Sequence, residues 1–510
     1  MIICAYEGSL MYILVELDML FNSYDFLFLF LLPVFVGYLM FVKSSKINKK
    51  YLLYFFILVS LVFYGQWNLE HLGLLLTSVF VNYFYAYYMY NGTILRDYKT
   101  NSFPFYYLVI IVILNLLPLM YYKYSGFLSM SKDSLILPLA ISFFTFQQIA
   151  FQVDLYKGKI DVSEERKKIP FSSYMFFILF FPQLIAGPIV HYNELMNQVK
   201  RPEWLKFNKA YFTQGVLLFS IGLFKKVVLA DTLAVFANNS FSSISSISTY
   251  DAWVGLFAYS FEIYFDFSGY ADMAIGLALL FGLKLPANFL SPYKSKNIIE
   301  FWRRWHITLS NFLKDHLYIP LGGNRLGLPR AIINLLVTMS IGGIWHGAGW
   351  TFLLWGFFHG VLLGIVHLLG SLKNKINSKN EDSENSASIG FAIFFTFVSV
   401  TLLWVLFRAD SFDMAMRYYE LLFSFTDIMP KKMPELTLVP FSIGKEYLVL
   451  MAFFIVWFLP NSLEFTGYVK DETKVSSFSM SSVFISALLV FISLKVMAST
   501  PAKTFVYFNF

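Results

Sequence analysis

The stretch Ser340 to Gly360, SIGGIWHGAGWTFLLWGFFHG, is apolar, dense in glycine, and carries two histidines, His346 and His359. A group able to ionise is costly at membrane depth, so it stands as a functional candidate there. The bland alternative for His346 is a hydrogen-bonded interior histidine, with Gly343 and Gly347 forming a small-xxx-small helix contact. His359 lies thirteen residues further on, well over half a turn away if one helix at ~100° per residue continues, and reads as packing.

Outward from this run the chain stays apolar. Of 510 residues 57% are hydrophobic and 14% charged, and the mean hydropathy is +0.61. This composition excludes a secreted, disordered or ordinary cytosolic protein. Helical spans are predicted near 23–42, 51–66, 69–90, 104–122, 135–153, 171–190, 209–232, 251–282, 331–345, 348–369, 389–407, 446–459 and 480–498. The expected fold is all-α and polytopic, with about 10 to 13 membrane helices, some of them re-entrant or interfacial. No internal repeat is evident. One domain is expected from residue 19 to 510, with a flexible polar loop at 371–388. Residues 1–18 hold three acids and no Lys or Arg, so they are no signal peptide; they are expected to be a dispensable extension, as a misassigned start would produce.

The only cysteine is Cys4, which excludes a disulfide framework and a cysteine-ligated zinc or iron–sulfur site. No metal site is expected. The net charge of +7 suits cytoplasmic loops of a membrane protein rather than nucleic acid. KSSKINKK (Lys43 to Lys50) and the later Arg96 and Lys99 are expected in the cytoplasm, with the N-terminus outside. Between Lys294 and Arg330 seven cations face only Glu300 and Asp315, so this segment too should be cytoplasmic. Within it FWRRWHITLSNFLKDHLYIPLGGNR sets Trp302, Trp305 and Tyr318 among Arg303, Arg304 and Lys314. One reading is an interfacial anchor; the other is a surface for a phosphate-bearing donor such as coenzyme A. His306 follows directly.

Other chemistries fall away. No G-x-S-x-G elbow or H-E-x-x-H motif occurs, and GGNRLGL has Leu328 where a P-loop needs lysine. In FEIYFDFSGYADMAIG the acids Glu262, Asp266 and Asp272 read either as an ion site or as partners of buried cations. A transporter of polymers or lipid-linked sugars would call for repeated halves and paired broken helices, and neither is present.

Taken together, Asp266 to Arg325 followed by GGIWHGAGWTFLLWGFFHG closely resembles the membrane-bound O-acyltransferase family, in its polysaccharide branch. The likeness extends to FFPQLIAGPIVHYNEL (Phe180 to Leu195), IGLFKKVVLAD (Ile221 to Asp231), WVLFRADSFDMA (Trp404 to Ala415), LPNSLEF (Leu459 to Phe465) and the terminal FVYFNF. It implies a ring of helices around a thin centre, with a cytoplasmic donor funnel and an outer acceptor funnel. It implies His346 as catalytic base and His306 as the second family position, Asn or His in different branches, there to orient the donor or stabilise the oxyanion. Trp302, Arg303, Arg304 and Trp305 are the expected donor-binding residues. No permanently bound cofactor is expected, the donor being acetyl-CoA or a related thioester. The implied activity is O-acetylation of an extracytoplasmic polysaccharide such as alginate, at the bacterial inner membrane, with a separate serine-dependent partner outside. Transfer of D-alanyl groups, or acylation of peptidoglycan, cellulose or a capsule, stands as the alternative.

Overall fold

The structure is a computed structural model that describes residues 19–44, 48–91, 105–127, 136–160, 169–376, 386–424, 429, 436–438, 441–468, 480–499 and 503–506. Residues 1–18, Arg96, Lys99 and residues 507–510 of the terminal motif lie outside them. Each of the thirteen predicted apolar runs holds a helix: α1 Asp25–Lys43, α2 Lys49–Gly65, α3 Leu69–Asn91, α4 Phe105–Tyr124, α5 Ile141–Tyr156, α6 Phe171–Leu179, α7 Lys209–Phe224, α8 Thr249–Leu280, α9 Leu328–His346, α10 Trp350–Ile376, α11 Ser386–Arg408, α12 Lys445–Phe458 and α13 Met480–Ser499. Among the described residues, seven helices are long and apolar enough to cross a membrane. The fold is all-α and polytopic; its one described pair of strands is a hairpin, Leu436–Leu438 with Phe441–Ile443.

Several boundaries differ from the hydropathy reading: the 209–232 run continues as helix to Ser242, and Phe412–Ser424 is a helix outside the predicted spans. The 171–190 run breaks at Phe180, whose backbone leaves the helical region, because Pro182 requires a new start. The polar segment 371–388 is narrower than expected: α10 continues to Ile376 and α11 begins at Ser386, leaving 377–385 outside the described residues.

Helix α8 organises the interior. Ser248 and Asp251 form a capping box at its start, satisfying amide donors that would otherwise be orphaned. Its 32 residues span about 48 Å, and 94% of its most apolar window is buried by protein. A Cβ on Gly222 of α7 would stand 2.5 Å from the Gly269 carbonyl oxygen, and one on Gly215 would stand 2.7 Å from that of Gly276. The two backbones thus touch at two points seven residues apart, an approach that only glycine permits. On the outer helices, exposed Leu32, Met40, Leu58, Ile113, Phe394 and Phe484 form the apolar surface expected of a wall that meets hydrocarbon.

Helices α9 and α10 form an antiparallel hairpin turned at Gly347–Gly349. A Cβ on Gly343 would meet the Phe352 carbonyl oxygen at 2.2 Å, and one on Gly356 would meet that of Met339 at 2.1 Å. Gly343 therefore serves helix packing, as the small-xxx-small reading has it. The same tight seam fixes where His346 ends up.

Candidate active site

His346 is the last residue of α9 and is 3% exposed. A helix leaves its final carbonyls without internal partners, and within a membrane no water supplies them. Here α4 does. Its last turns, after Pro118, are π-helical from Met120 to Tyr124, which turns Lys123 and Tyr124 toward α9. The Lys123 ammonium donates to the carbonyl oxygens of Trp345 (2.6 Å) and His346 (2.9 Å), and the Tyr124 hydroxyl donates to that of Ile344 (2.7 Å). The sequence reading missed both residues, although a lone lysine in the apolar run LPLMYYKY was the signal.

The His346 ring meets Trp355 edge-on at 5.3 Å, Phe407 at 5.2 Å and His306 at 6.5 Å between centroids. His306 comes from a different element. It lies between the short helices Ile298–Arg304 and Ile307–Leu313, in a left-handed conformation with φ 43°. Such a conformation in a non-glycine residue costs on the order of 1–3 kcal/mol and persists only where surroundings impose it. Asn288 imposes it: its carbonyl accepts from the Ile307 amide (3.0 Å), and its side-chain oxygen accepts from the amide and hydroxyl of Thr308. His306 is 2% exposed, and burial holds its imidazole below the ordinary histidine range. Its Nδ1 has no hydrogen-bond partner among the described residues.

Two cavities flank this pair along α9. The first, about 1230 Å³, is lined by Trp302, Arg303, Lys314, Thr338, Met339 and Leu363 among others. It approaches within seven residues of His346 along α9, about 10 Å of helix. The second, about 840 Å³, begins at Gly347–Gly349 and is lined by Asp231, Glu262, Asp266 and Arg408, with Lys503 and Val506 of the C-terminal segment. The histidines therefore sit between two openings at opposite ends of one helix.

The expected donor residues separate. Arg303 and Trp302 line the first cavity. Arg304 does not; it pairs with Glu300 at 2.6 Å, one turn earlier. Trp305 is 2% exposed and packs on Phe301, Phe289 and Trp404, so it belongs to the core and does not line the first cavity. A seven-residue helix winds successive side chains to different faces, and only packing decides which face meets the cavity. Trp302 also donates its indole N–H to His359 Nδ1 at 3.3 Å.

The acids of α8 find lysines. Lys226 bridges Asp266 (2.7 Å) and Asp231 (2.8 Å), and Lys225 pairs with Asp272 (2.7 Å). The partnered reading holds for Asp266 and Asp272, with the lysine pair of IGLFKKVVLAD as the legible signal. Glu262 differs, because its Oε2 has no partner among the described residues and it lines the second cavity.

A ring column runs from Trp345 through Phe146 and Phe312 to His316, near-parallel at every step. His316 faces His191 at 6.2 Å, and His191 Nδ1 is 2.5 Å from Asp154.

Residues 124–397 match the model of MBOAT, the membrane-bound O-acyltransferase family. The chain belongs to that family and is an acyltransferase. It is 41% identical to the Peptidoglycan O-acetyltransferase of Helicobacter pylori, over 80% of this chain and 81% of that one. It is 38% identical to the Probable alginate O-acetylase AlgI of Azotobacter vinelandii, over 80% and 79% of the two chains. To the Teichoic acid D-alanyltransferase of Streptococcus thermophilus it is 28% identical, over 76% and 94%. It is thus a multi-pass membrane O-acyltransferase of the type that acetylates polysaccharide or peptidoglycan.

Proposed function

We propose that the chain takes an acetyl group from a cytoplasmic thioester, acetyl-CoA or a related carrier, and passes it through the membrane for O-acetylation of an extracytoplasmic polysaccharide such as alginate. The observation that carries this reading is the placement of two buried histidines, 6.5 Å apart, between cavities at opposite ends of α9. The first cavity takes the donor. Arg303 and Lys314 suit its phosphates, and the excess of cations in this segment argues for the cytoplasmic side of a bacterial inner membrane. The second cavity takes the acceptor hydroxyl.

In this mechanism His346 accepts the proton of the acceptor hydroxyl as that oxygen attacks the thioester carbonyl. His306 orients the donor or stabilises the oxyanion of the tetrahedral intermediate. Collapse expels the thiolate, which takes the proton back from His346, so that an ester and a free thiol leave. A separate extracytoplasmic serine-dependent partner completes transfer to the polymer. Acetylation of peptidoglycan is the second reading, favoured by the 41% identity to a protein of that name. The test is acetylation by membranes that hold the protein and acetyl-CoA as sole donor: His346→Ala protein, folded and inserted, should transfer acetyl slower by ~10² to 10⁴. Transfer at near the unsubstituted rate would remove the base assignment.

A further inference from the structure

We propose that Thr338, His359 and Trp355 form a subsite for the amide carbonyls of a pantetheine-type donor arm, an inference that rests on the thioester-donor reading above. All three lie between the donor cavity and His346. Thr338 is on the cavity wall with Met339 and Leu363. His359 is one turn before Leu363 on α10, and Trp355 is one turn before that. The Trp355 ring touches His359 at 4.7 Å and His346 at 5.3 Å, and His359 accepts from Trp302 on the cavity wall, so His359 and Trp355 link the wall of the cavity to His346.

What they share is an unused hydrogen-bond group. Trp302 donates to His359 Nδ1, which places the ring's proton on Nε2. That N–H, the Trp355 indole N–H and the Thr338 hydroxyl have no partner among the described residues, and their residues are 0%, 1% and 4% exposed. A helical threonine or serine ordinarily bonds its hydroxyl to the carbonyl four residues back. Thr396 and Ser260 do so here; Thr338 does not. Buried donors left unmade are destabilising, and three in one short stretch point to a ligand that supplies acceptors.

The acceptor class follows from the donors. Three neutral donors with no cation among them suit uncharged carbonyl oxygens, not an acyl phosphate. A pantetheine arm carries two amide carbonyls at a separation comparable to one helical turn, ~5.4 Å, which is the rise from His359 to Trp355. Its phosphate end would then lie at Arg303 and Lys314, and its thioester at His346. His359 thereby leaves the packing role its spacing suggested and becomes a determinant of donor specificity.

The test measures binding to the purified full-length chain in lipid nanodiscs, by competition with labelled acetyl-CoA. The probes are S-acetylpantetheine and an alkyl thioacetate of equal length without amides. His359→Phe and the isosteric Thr338→Val should each weaken S-acetylpantetheine about tenfold and leave the alkyl thioacetate unchanged. If the unsubstituted protein binds S-acetylpantetheine and folded Thr338→Val and His359→Phe bind it equally well, or lose both probes alike, the subsite is wrong while the donor reading stands. If the unsubstituted protein binds no thioester, the donor reading falls and takes the subsite with it.

Discussion

The ammonium of Lys123 lies 2.9 Å from the backbone carbonyl oxygen of His346, so the end of the helix that carries the proposed base is held by a residue 223 positions earlier in the chain. The contact replaces the water that would satisfy a helix terminus in solution. Lys123→Met leaves the Trp345 and His346 carbonyls without this donor and should cost ~1–3 kcal/mol of stability, with a loss of turnover larger than any change in donor KM. Lys123→Arg, which keeps charge and donors, should recover part of the turnover. Thermal unfolding and steady-state kinetics in detergent check this; equal stability and turnover in Lys123→Met would remove the capping role.

For the base, His346→Ala should insert and bind donor yet lose ~10² to 10⁴ in acetylation rate, the usual cost of a missing general base. A packing histidine would instead lower stability and leave the surviving enzyme active. Rate per folded molecule, with folding followed by size-exclusion chromatography, separates the two.

His306 is constrained by its backbone as well as its ring. Asn tolerates the left-handed region better than Ala does, and it keeps a hydrogen-bond donor. His306→Asn should therefore retain more activity and more stability than His306→Ala. The reverse ranking would show that neither the cap conformation nor hydrogen bonding is the residue's contribution.

Arg303 and Arg304 differ by placement alone. Arg303→Gln should raise donor KM several-fold, because Arg303 faces the cavity, whereas Arg304→Gln should cost less than ~1 kcal/mol of stability by freeing Glu300. Measured donor affinities of the two single variants decide it. Equal losses would return both to a common phosphate surface.

At the far end of the ring column the Asp154 pair responds to pH. The hydrogen bond from His191 holds that imidazole above the ordinary histidine range, offset by burial, with Asp154, Glu194 and Lys159 as its charged neighbours. Burial raises the Asp154 carboxyl, but His191 and Lys159 outweigh it and hold it below the ordinary carboxylate range. A raised histidine contributes stability that is complete below its unfolded pKa, ~6.5, and lost as pH rises through its folded value; a lowered carboxylate contributes above ~3.9 and loses it on acidification. The pair should therefore stabilise the fold from about pH 4 to somewhat above 6.5. His191→Gln should flatten the decline in melting temperature between pH 6 and 9, and an unchanged pH dependence would exclude the pair as its source.

Much of this molecule is legible without coordinates. Each of the thirteen predicted apolar runs holds a helix, because a helix that satisfies every backbone group within one segment is a local solution to the absence of water. His346 and His306 could be singled out for a related reason: an ionisable side chain within apolar sequence needs a purpose or a partner. The lysine pair Lys225 and Lys226 was visible in the same way, as charge where none is expected, but not its assignment to Asp272 and to Asp266 with Asp231. Which acid of α8 meets which lysine depends on the register between α7 and α8, set by the contacts of Gly215 and Gly222 with Gly276 and Gly269.

Which face each of these residues presents is set by packing alone. Arg303 and Arg304 are neighbours in sequence and of one chemistry, yet one lines the cavity and the other pairs with Glu300. Trp302 and Trp305, three apart, divide between cavity wall and core. Lys123 reaches the end of α9, and His359 reaches Trp302, only when α4 is packed against the end of α9 and α10 is folded back along it. Local hydropathy and motif are enough to read the membrane helices and the family, and to single out His346. The surroundings of that histidine follow from helix-to-helix packing between segments far apart in the chain, where side-chain volume and glycine contacts set the register and no local pattern records it.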